Sequence, residues 1–258
     1  MEIANRERDF AAYVDDRPGD GVFRVDRKVY LDEEILEAEF ERIFEGDWIY
    51  LCHESQLPER GDYFSTHIGR QPVFVVRRND GQLGGFLNAC GHRGSLLTPQ
   101  RAGRFEGPIG CPYHGWQFDT DGRCIAITMQ GVGWPDRDFD KSCFDLKPIS
   151  RLDSYRGFVF GSLNPKVSEL IDYLGSATKF IDMFAAPAPR ELEIVSGVST
   201  HLQNCNWKVM HENGPDAYHA ITVHRNFFDT MGYRDRQNNE GGLKTTDAGQ
   251  RLVGKRAS

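Results

Sequence analysis

The first regular pattern along the chain predicts an amphipathic helix over residues 32–44. Apolar side chains recur at the three- and four-residue spacing that puts them on one side of a helix: Ile35, Leu36, Phe40, Ile43 and Phe44. Asp32 comes just before them and is a favourable N-cap residue, and Gly46 follows as a stop signal. The segment before this helix is polar and gives no comparable pattern.

From Trp48 to about Pro165 the pattern changes to short aromatic and β-branched runs separated by turn residues. These runs predict strands at 49–51, 72–77, 86–88, 116–118 and 158–160. Asn79-Asp80-Gly81 and Asp119-Thr120-Asp121-Gly122 are typical of hairpin turns. We therefore expect a small antiparallel β domain over residues 45–165, preceded by an N-terminal segment and helix over residues 1–44.

Helical spacing returns after residue 165. A stripe that is weakened at Gly175 predicts helix, and it consists of Val167, Leu170, Ile171, Leu174, Ile181 and Phe184. Pro187-Ala188-Pro189 indicates a boundary, after which we predict a strand over 191–202 and a helix from Trp207 to about His224. The Gly-, Asn- and Arg-rich tail predicts a loop. The expected fold class is α+β, with residues 166–258 as a second, partial domain.

Charge and composition exclude several classes of protein. The chain of 258 residues carries 31 Lys and Arg against 38 Asp and Glu, a net charge of -7, without a basic run, which argues against nucleic acid or an anionic membrane as partner. It has no long uncharged apolar run and no apolar core in its first residues, so we expect a cytoplasmic protein. Six cysteines in such a chain favour metal binding or packing over disulfides, and four are predicted to pack: Cys52, Cys124, Cys143 and Cys205.

Two short motifs each offer one thiolate and one imidazole. Cys90-Gly91-His92 and Cys111-Pro112-Tyr113-His114 are separated by eighteen residues. A [2Fe–2S] cluster with two thiolates on one iron and two imidazoles on the other needs this mixed supply of ligands. A zinc site uses the same residue types, but it normally pairs Cys with Cys and His with His. The spacing therefore favours the iron–sulfur cluster, with Cys90, His92, Cys111 and His114 as ligands.

A second cluster of metal-binding residue types lies between Asn206 and His224. His219, His224 and an acidic residue fall within a dozen positions, and two histidines with one carboxylate form the facial triad of non-haem Fe(II) oxygenases. Five residues apart on an ideal helix, the two histidines would point about 140° apart. A π-bulge, or a helix that ends before His224, would bring them together. Two solvent-facing histidines on a polar helix remain the alternative.

Both motifs resemble those of one enzyme family. Cys-Gly-His-Arg-Gly at 90–94 and Cys-Pro-Tyr-His-Gly-Trp at 111–116 resemble the Rieske motifs of bacterial aromatic-ring-hydroxylating oxygenases, and 206–224 resembles their catalytic iron motif. The resemblance covers nearly the whole chain. It is strongest for the large (alpha) subunits of benzoate, anthranilate and halobenzoate dioxygenases. Three segments resemble theirs: Cys52-His53-Glu54-Ser55, Ile68-Gly69-Arg70-Gln71-Pro72 and Glu212-Asn213-Gly214.

The resemblance implies a fold, cofactors and partners. It implies a Rieske β domain followed by the N-terminal part of a helix-grip-like catalytic domain, in which His219 and His224 bind a mononuclear Fe(II). Asp216 would connect His219 to a Rieske imidazole of a neighbouring subunit. Electrons from NADH would arrive through a flavin and iron–sulfur reductase, and O2 would cis-dihydroxylate an aromatic carboxylate. A small beta subunit and a trimer-based homo-oligomer of alpha subunits are the implied partners.

The chain departs from this family at its end. The third iron ligand of the family is a carboxylate far downstream, and the sequence stops at Ser258, so we expect a truncated subunit. Four carboxylates of the tail are not expected to replace it: Asp229, Asp235, Glu240 and Asp247. A Rieske electron carrier, an inactive subunit without the third ligand, and a Rieske monooxygenase or demethylase are the alternatives.

Overall fold

The computed structural model describes residues 9–133, 140–187, 192–195 and 197–240, the last six of these by backbone alone. The chain divides into two compact units. The larger unit is Asp32–Thr200, and the smaller one combines Met1–Leu31 with His201–Ser258. The domain boundaries predicted at residues 44 and 165 stay predictions.

Short strands and helices alternate along the chain. The strands are β1 Val14–Arg17, β2 Val22–Val25, β3 Ile49–His53, β4 Asp62–Ile68, β5 Gln71–Arg77, β6 Leu83–Leu87, β7 Ala102–Arg104, β8 Ile109–Gly110, β9 Gln117–Phe118, β10 Cys124–Ala126, β11 Arg151–Tyr155 and β12 Phe158–Ser162. The helices are α1 Lys28–Leu31, α2 Glu33–Glu39, α3 Gln130–Gly133, α4 Leu170–Leu174, α5 Ala177–Ala185, α6 Trp207–Asn213, α7 Ala220–Val223 and α8 Arg225–Glu240.

The larger unit contains antiparallel sheets with the strand orders β6-β5-β4-β7, β11-β12-β3 and β10-β9-β8. Both predicted hairpin turns are present. Gly81 N–H donates to the carbonyl oxygen of Arg78 at 3.0 Å, and Gly122 N–H donates to that of Asp119, also at 3.0 Å. The predicted antiparallel β structure and the α+β fold class are therefore confirmed.

The predicted helix over 32–44 is also confirmed. It consists of α2 and a following π turn, Phe40–Phe44. Asp32 acts as the N-cap, because its Oδ1 accepts a hydrogen bond from Glu34 N–H at 2.9 Å. The helical stripe after residue 165 is divided into α4 and α5 at Gly175, whose φ of 47° interrupts the helix.

Two groups of buried side chains form the core of the sheets. One group fills the space around β3, β4 and β5 and includes Leu51, Leu57, Ile68, Val73, Val75 and Val159. The other lies beneath the two Cys/His motifs and includes Phe74, Phe86, Cys90, Cys111, Trp116 and Phe118. The candidate cysteine ligands are thus part of the hydrophobic core, which fixes the position of both motifs.

Three segments differ from the sequence-based expectation. Residues 192–195 and 197–202 form no strand, although their alternating pattern predicted one. The tail after His224 was predicted as a loop, yet α8 occupies Arg225–Glu240. The polar segment at the start of the chain contains the β1–β2 hairpin, which no pattern in that segment indicated.

The smaller unit consists of β1, β2, α1 and the helices α6, α7 and α8. None of its side chains for which burial is described is fully buried. Among the described residues, no helix combines the length and the apolar character that crossing a bilayer requires.

Candidate metal centres

The two Cys/His motifs of the larger unit form two tight turns of the same type. In the first, Cys90 N–H donates to the carbonyl oxygen of Ser95 at 2.8 Å, and Gly94 N–H donates to that of Cys90 at 2.9 Å. The loop at 111–116 repeats these two bonds at 2.7 and 3.0 Å. Gly94 and Gly115 have φ values of 73° and 70°, a conformation that favours glycine. Each turn therefore presents its cysteine in the same way, whereas the histidine follows the cysteine by two residues in the first turn and by three in the second.

The thiols of Cys90 and Cys111 are both buried, and they lie within hydrogen-bonding distance of each other. Burial raises the pKa of Cys90 to about 11. Burial also acts on Cys111, but hydrogen bonds outweigh it and lower the pKa of that thiol. The donors to the two sulfurs are mainly backbone N–H groups of the same turns, those of His92, Arg93, Tyr113 and His114. N–H dipoles directed at sulfur stabilise the thiolate, which is the form that binds metal.

The imidazoles of His92 and His114 lie side by side at the surface end of the two turns. Their ring centroids are 4.9 Å apart. The His92 ring stacks on the buried indole of Trp116 at 4.4 Å and 4°. Desolvation, followed by the electrostatic effects of Arg93 and His114, lowers the pKa of His92, which favours the neutral ring. Neutral imidazole is the form that binds metal.

Arg93 connects the first turn to the second. Its Nη2 lies 2.8 Å from Nε2 of His114, and its guanidinium lies 5.3 Å from the ring centroid of Tyr113. A guanidinium can only donate, so Nε2 of His114 is the acceptor. In the neutral ring Nδ1 of His114 therefore carries the proton, and metal binding at Nδ1 would require that proton to move to Nε2 and the contact with Arg93 to open. Neither this contact nor the stacking on Trp116 could be read from the spacing of the ligands.

The residues present fit a binuclear cluster better than a single metal ion. Within the described part of the chain, no three His, Cys, Asp or Glu side chains are arranged to hold one ion. A Rieske cluster requires two pairs instead, thiolates for one iron and imidazoles for the other. Cys90 with Cys111 and His92 with His114 form such pairs.

The first turn approaches the main chain of Phe144 closely, and this approach depends on Gly91. A Cβ at Gly91 would lie 2.0 Å from the carbonyl oxygen of Phe144.

The second pair of histidines lies in the smaller unit, on either side of α7. His219 is the N-cap residue and His224 the C-cap residue of this four-residue helix. The helix ends at Val223, so the two rings are not held at the ideal helical angle, and their centroids are 5.3 Å apart. Of the two arrangements that the spacing allowed, the structure has the one in which His224 lies just past the helix end.

Asp216 contacts the first of these histidines. Its Oδ2 lies 2.9 Å from Nδ1 of His219, and its Oδ1 accepts a hydrogen bond from Tyr218 N–H at 2.8 Å. These bonds, chiefly the one with His219, hold the pKa of Asp216 below its ordinary value. Because Nδ1 of His219 is occupied by the carboxylate, Nε2 remains for a metal. Such an orienting acceptor is what a metal-bound histidine needs.

The other predicted residues have mixed outcomes. Cys52 and Cys124 are buried packing residues as predicted, and burial raises the pKa of Cys52 to about 12. The same prediction is wrong for Cys143 and Cys205, which are exposed. In the tail, Asp229 is exposed and lies 3.6 Å from Arg225, whereas Asp247 is outside the described residues.

Comparison with known proteins identifies the domain that contains the two Cys/His turns. The Rieske [2Fe-2S] domain family matches residues 47–135, which include both Cys/His turns. The chain is 43% identical to the toluate 1,2-dioxygenase subunit alpha of Pseudomonas putida over 86% of its length and 49% of that subunit. It is 42% identical to the anthranilate 1,2-dioxygenase large subunit of Acinetobacter baylyi, over 87% of the chain and 47% of that subunit. For the 2-halobenzoate 1,2-dioxygenase large subunit of Burkholderia cepacia, the identity is 35% over 91% of the chain and 50% of that subunit.

The fold agrees with these matches. The naphthalene 1,2-dioxygenase of a Rhodococcus species superposes with a TM-score of 0.72 at 35% identity, over 77% of this chain and 45% of that one. The chain spans about half the length of the curated relatives that it matches. The predicted resemblance is confirmed: the chain contains a Rieske [2Fe–2S] domain and is homologous to the large subunits of aromatic-carboxylate dioxygenases.

Proposed function

We propose that the four paired side chains of the larger unit hold the [2Fe–2S] cluster. Cys90 and Cys111 would bind one iron, and His92 and His114 the other. The matching backbone hydrogen bonds of the two turns, the N–H groups directed at both sulfurs and the lowered pKa of His92 support this assignment. When bound, such a cluster supplies one-electron transfer. Trp116 would keep the His92 imidazole in place during it.

His219 and His224 are the proposed ligands of a mononuclear Fe(II), a metal that supplies the activation of O2 in this class of enzyme. The short distance between their rings and the position of Asp216 support the proposal. Asp216 would orient His219 and connect it to a Rieske imidazole of a neighbouring subunit. The third ligand would be a carboxylate outside the described residues, since no third side chain among them joins the pair.

The reaction that these two centres support is ring dihydroxylation by the oxygenase component of a multicomponent system. The arene, O2, NADH and a proton would give a cis-dihydrodiol and NAD+, with both oxygen atoms bonded to adjacent ring carbons. A flavin and iron–sulfur reductase would pass the electrons from NADH. The relatives named for toluate, anthranilate and 2-halobenzoate support an aromatic carboxylate as substrate. We further propose a small beta subunit, a trimer-based assembly of alpha subunits, and a cytoplasmic location.

The observation that carries this proposal is the presence of the two paired turns in a chain homologous to dioxygenase large subunits. The test is anaerobic reconstitution of the full chain with iron and sulfide, followed by counts of both elements. We expect three irons and two sulfides per chain. His92→Ala should abolish the visible absorption of the cluster, and His219→Ala should remove one iron only. His67→Ala is the matched control, because His67 is exposed on β4.

Activity requires a second experiment. Single-turnover assays of the reduced protein with benzoate, anthranilate and ortho-substituted benzoates should give a cis-dihydrodiol or the product that it decomposes to. A monohydroxylated or demethylated product would instead indicate a Rieske monooxygenase. Protein without acid-labile sulfide after reconstitution would contradict the proposal as a whole.

An electron carrier is the second candidate function. It is favoured by the lack of a third ligand beside His219 and His224 in the described part of the chain. An electron carrier would hold two irons per chain and would reduce an acceptor without product formation. The iron count therefore separates the two functions before any substrate is tested.

A further inference from the structure

One tyrosine of the N-terminal segment contacts both ends of α6. The Tyr30 hydroxyl donates to Oε1 of Glu212 at 2.5 Å, in the last turn of the helix. The carbonyl oxygen of Tyr30 accepts a hydrogen bond from Nδ2 of Asn206, the N-cap residue, at 3.3 Å. Between them, Lys208 Nζ lies 5.9 Å from the centroid of the Tyr30 ring. Tyr30 therefore spans a helix about 10 Å long.

The C-terminal contact of Tyr30 continues toward the proposed iron ligand. Asp216 N–H donates to the main-chain carbonyl oxygen of Glu212 at 3.3 Å. The carboxylate of Asp216 in turn holds Nδ1 of His219 at 2.9 Å. The position of His219 thus depends on Asp216, and the position of Asp216 depends on the last turn of α6, which Tyr30 holds through Glu212.

Polar contacts are important for holding the helices of the smaller unit in position. No side chain of the smaller unit whose burial is described is fully buried, so packing alone gives these helices little support. The hydrogen bond to Glu212 is the main cause that raises the pKa of Tyr30, and the hydroxyl stays protonated as a donor. Glu212 begins the Glu212-Asn213-Gly214 segment, for which the proposed chemistry has no other use.

We propose that Tyr30 is a positioning residue for the mononuclear iron site, acting through Glu212 and Asp216 on His219. The inference rests on the proposed function, because it requires His219 to bind the metal. A positioning partner of a metal ligand contributes to affinity by fixing the orientation of the ring. Three contacts lie between Tyr30 and His219, so the contribution of Tyr30 should be smaller than that of Asp216, which contacts His219 directly.

The test compares Tyr30→Phe with Tyr13→Phe in the full, reconstituted chain. Tyr13 is a suitable control because it lies in the same N-terminal segment and the described residues offer its hydroxyl no hydrogen-bond partner. We expect Tyr30→Phe to weaken Fe(II) binding by about 3- to 10-fold, less than the roughly 10- to 100-fold loss that is typical when a direct partner of a metal ligand is removed. It should also broaden the EPR signal of the Fe(II)–nitric oxide adduct. The Rieske absorption should be unchanged in both variants.

Glu212 supplies the second arm of the experiment. Glu212→Gln keeps an oxygen that can accept from Tyr30 and should retain most of the iron affinity, whereas Glu212→Ala should match Tyr30→Phe. The double variant Tyr30→Phe/Glu212→Ala should lose no more than either single variant, because both act through one contact. Additive losses would contradict a shared path.

The outcomes separate the two proposals. If the unsubstituted chain binds a third iron and Tyr30→Phe binds it equally well, with an unchanged EPR signal, the role of Tyr30 is refuted and the iron site stands. If the unsubstituted chain binds no third iron, the proposed iron site fails, and the role of Tyr30 fails with it. Loss of the Rieske absorption in Tyr30→Phe would show general misfolding and would also refute the specific role.

Discussion

Gly91 lies between two candidate cluster ligands, at a point where the chain has no room for a side chain. An ideal Cβ there would lie 2.0 Å from the carbonyl oxygen of Phe144 and 2.8 Å from its carbonyl carbon. Because these are main-chain atoms, no side-chain rotation can relieve the overlap. We expect Gly91→Ala to displace the turn of Cys90 and His92 and to lower the free energy of unfolding by about 1–3 kcal/mol. Urea unfolding and the cluster absorption per chain measure the two effects.

Gly107→Ala is the control for this prediction. An added Cβ at Gly107 meets nothing within 4 Å, so this variant should unfold and bind the cluster like the unsubstituted chain. Normal cluster content in Gly91→Ala would show that the main chain of Phe144 moves aside, and that the fit of the turn against it is not needed.

At the residue scale, the sequence predicted the candidate ligands but not the residues that hold them. Cysteine and histidine in paired motifs indicate a metal by their chemistry alone, so Cys90 and His92 could be found without a structure. The stacking of Trp116 on His92 arises from the packing of the two turns, and a motif carries no such distance information. Tyr30 and Glu212 are 182 positions apart, and nothing in either local pattern indicates their contact.

At the scale of elements, predictions succeeded where periodicity and turn chemistry agreed. Helix 32–44 has both an apolar stripe and a capping aspartate, and it is present. The predicted strand over 191–202 has only the alternating pattern, and a strand also needs a partner to bond with. The helix α8 was missed because its residues have a low helix propensity. Two contacts at helical spacing are nevertheless present in it, one between Thr230 and Asn226 and one between Arg225 and Asp229.

An ion pair joins the edge strand β7 to its neighbour β4, in addition to the backbone pairing of the two strands. Arg104 donates to both carboxylate oxygens of Asp62, at 2.6 and 3.2 Å, and Glu59 N–H donates to Oδ2 at 2.8 Å. Burial raises the pKa of Asp62, but these bonds outweigh it and the net pKa is lowered. The carboxylate therefore contributes stability above its ordinary pKa, and this contribution is lost as the pH falls through the lower folded value.

We expect Asp62→Asn to lower the free energy of unfolding by about 1–3 kcal/mol at pH 7, as for other hydrogen bonds to charged groups. The difference between variant and unsubstituted chain should begin to shrink below about pH 4, where the unfolded carboxylate takes up a proton, and should vanish only below the lowered pKa of the folded state. Urea unfolding followed by circular dichroism at several pH values measures this. Glu169→Gln is the control, since its pair with Arg151 is exposed and should contribute less than about 1 kcal/mol. A difference that stays constant into acid would contradict the assignment to Asp62.

At the scale of the whole molecule, the two units differ in how they bury apolar side chains. The hydrophobic core clusters lie in the larger unit, around the Cys/His turns and the sheets. The smaller unit has several exposed apolar side chains and no fully buried one among those described. The sequence could not predict this difference, because the same apolar residues would predict a core in either unit.

Proteolysis should distinguish the two units. Residues 192–195 and 197–202 have no regular structure and expose Ile194, Val195, Val198 and Leu202, a favourable set for thermolysin, which cuts before apolar residues. We expect limited digestion of the reconstituted chain to cut first in this segment. A fragment that contains the sheets and the Cys/His turns of the larger unit should survive and retain the visible absorption of the cluster, as mass spectrometry and absorption spectra would show.

Exposure alone should not direct the protease, and Ile125 provides the comparison within the same digest. Ile125 is exposed, but it lies on β10, which is paired with β9, so the chain there cannot enter the protease without local unfolding. Leu202→Asp should slow the cut before residue 202 without changing the surviving fragment. An early cut at Ile125, or loss of the absorption at the same rate as the first cut, would mean that the larger unit depends on the smaller one for its stability.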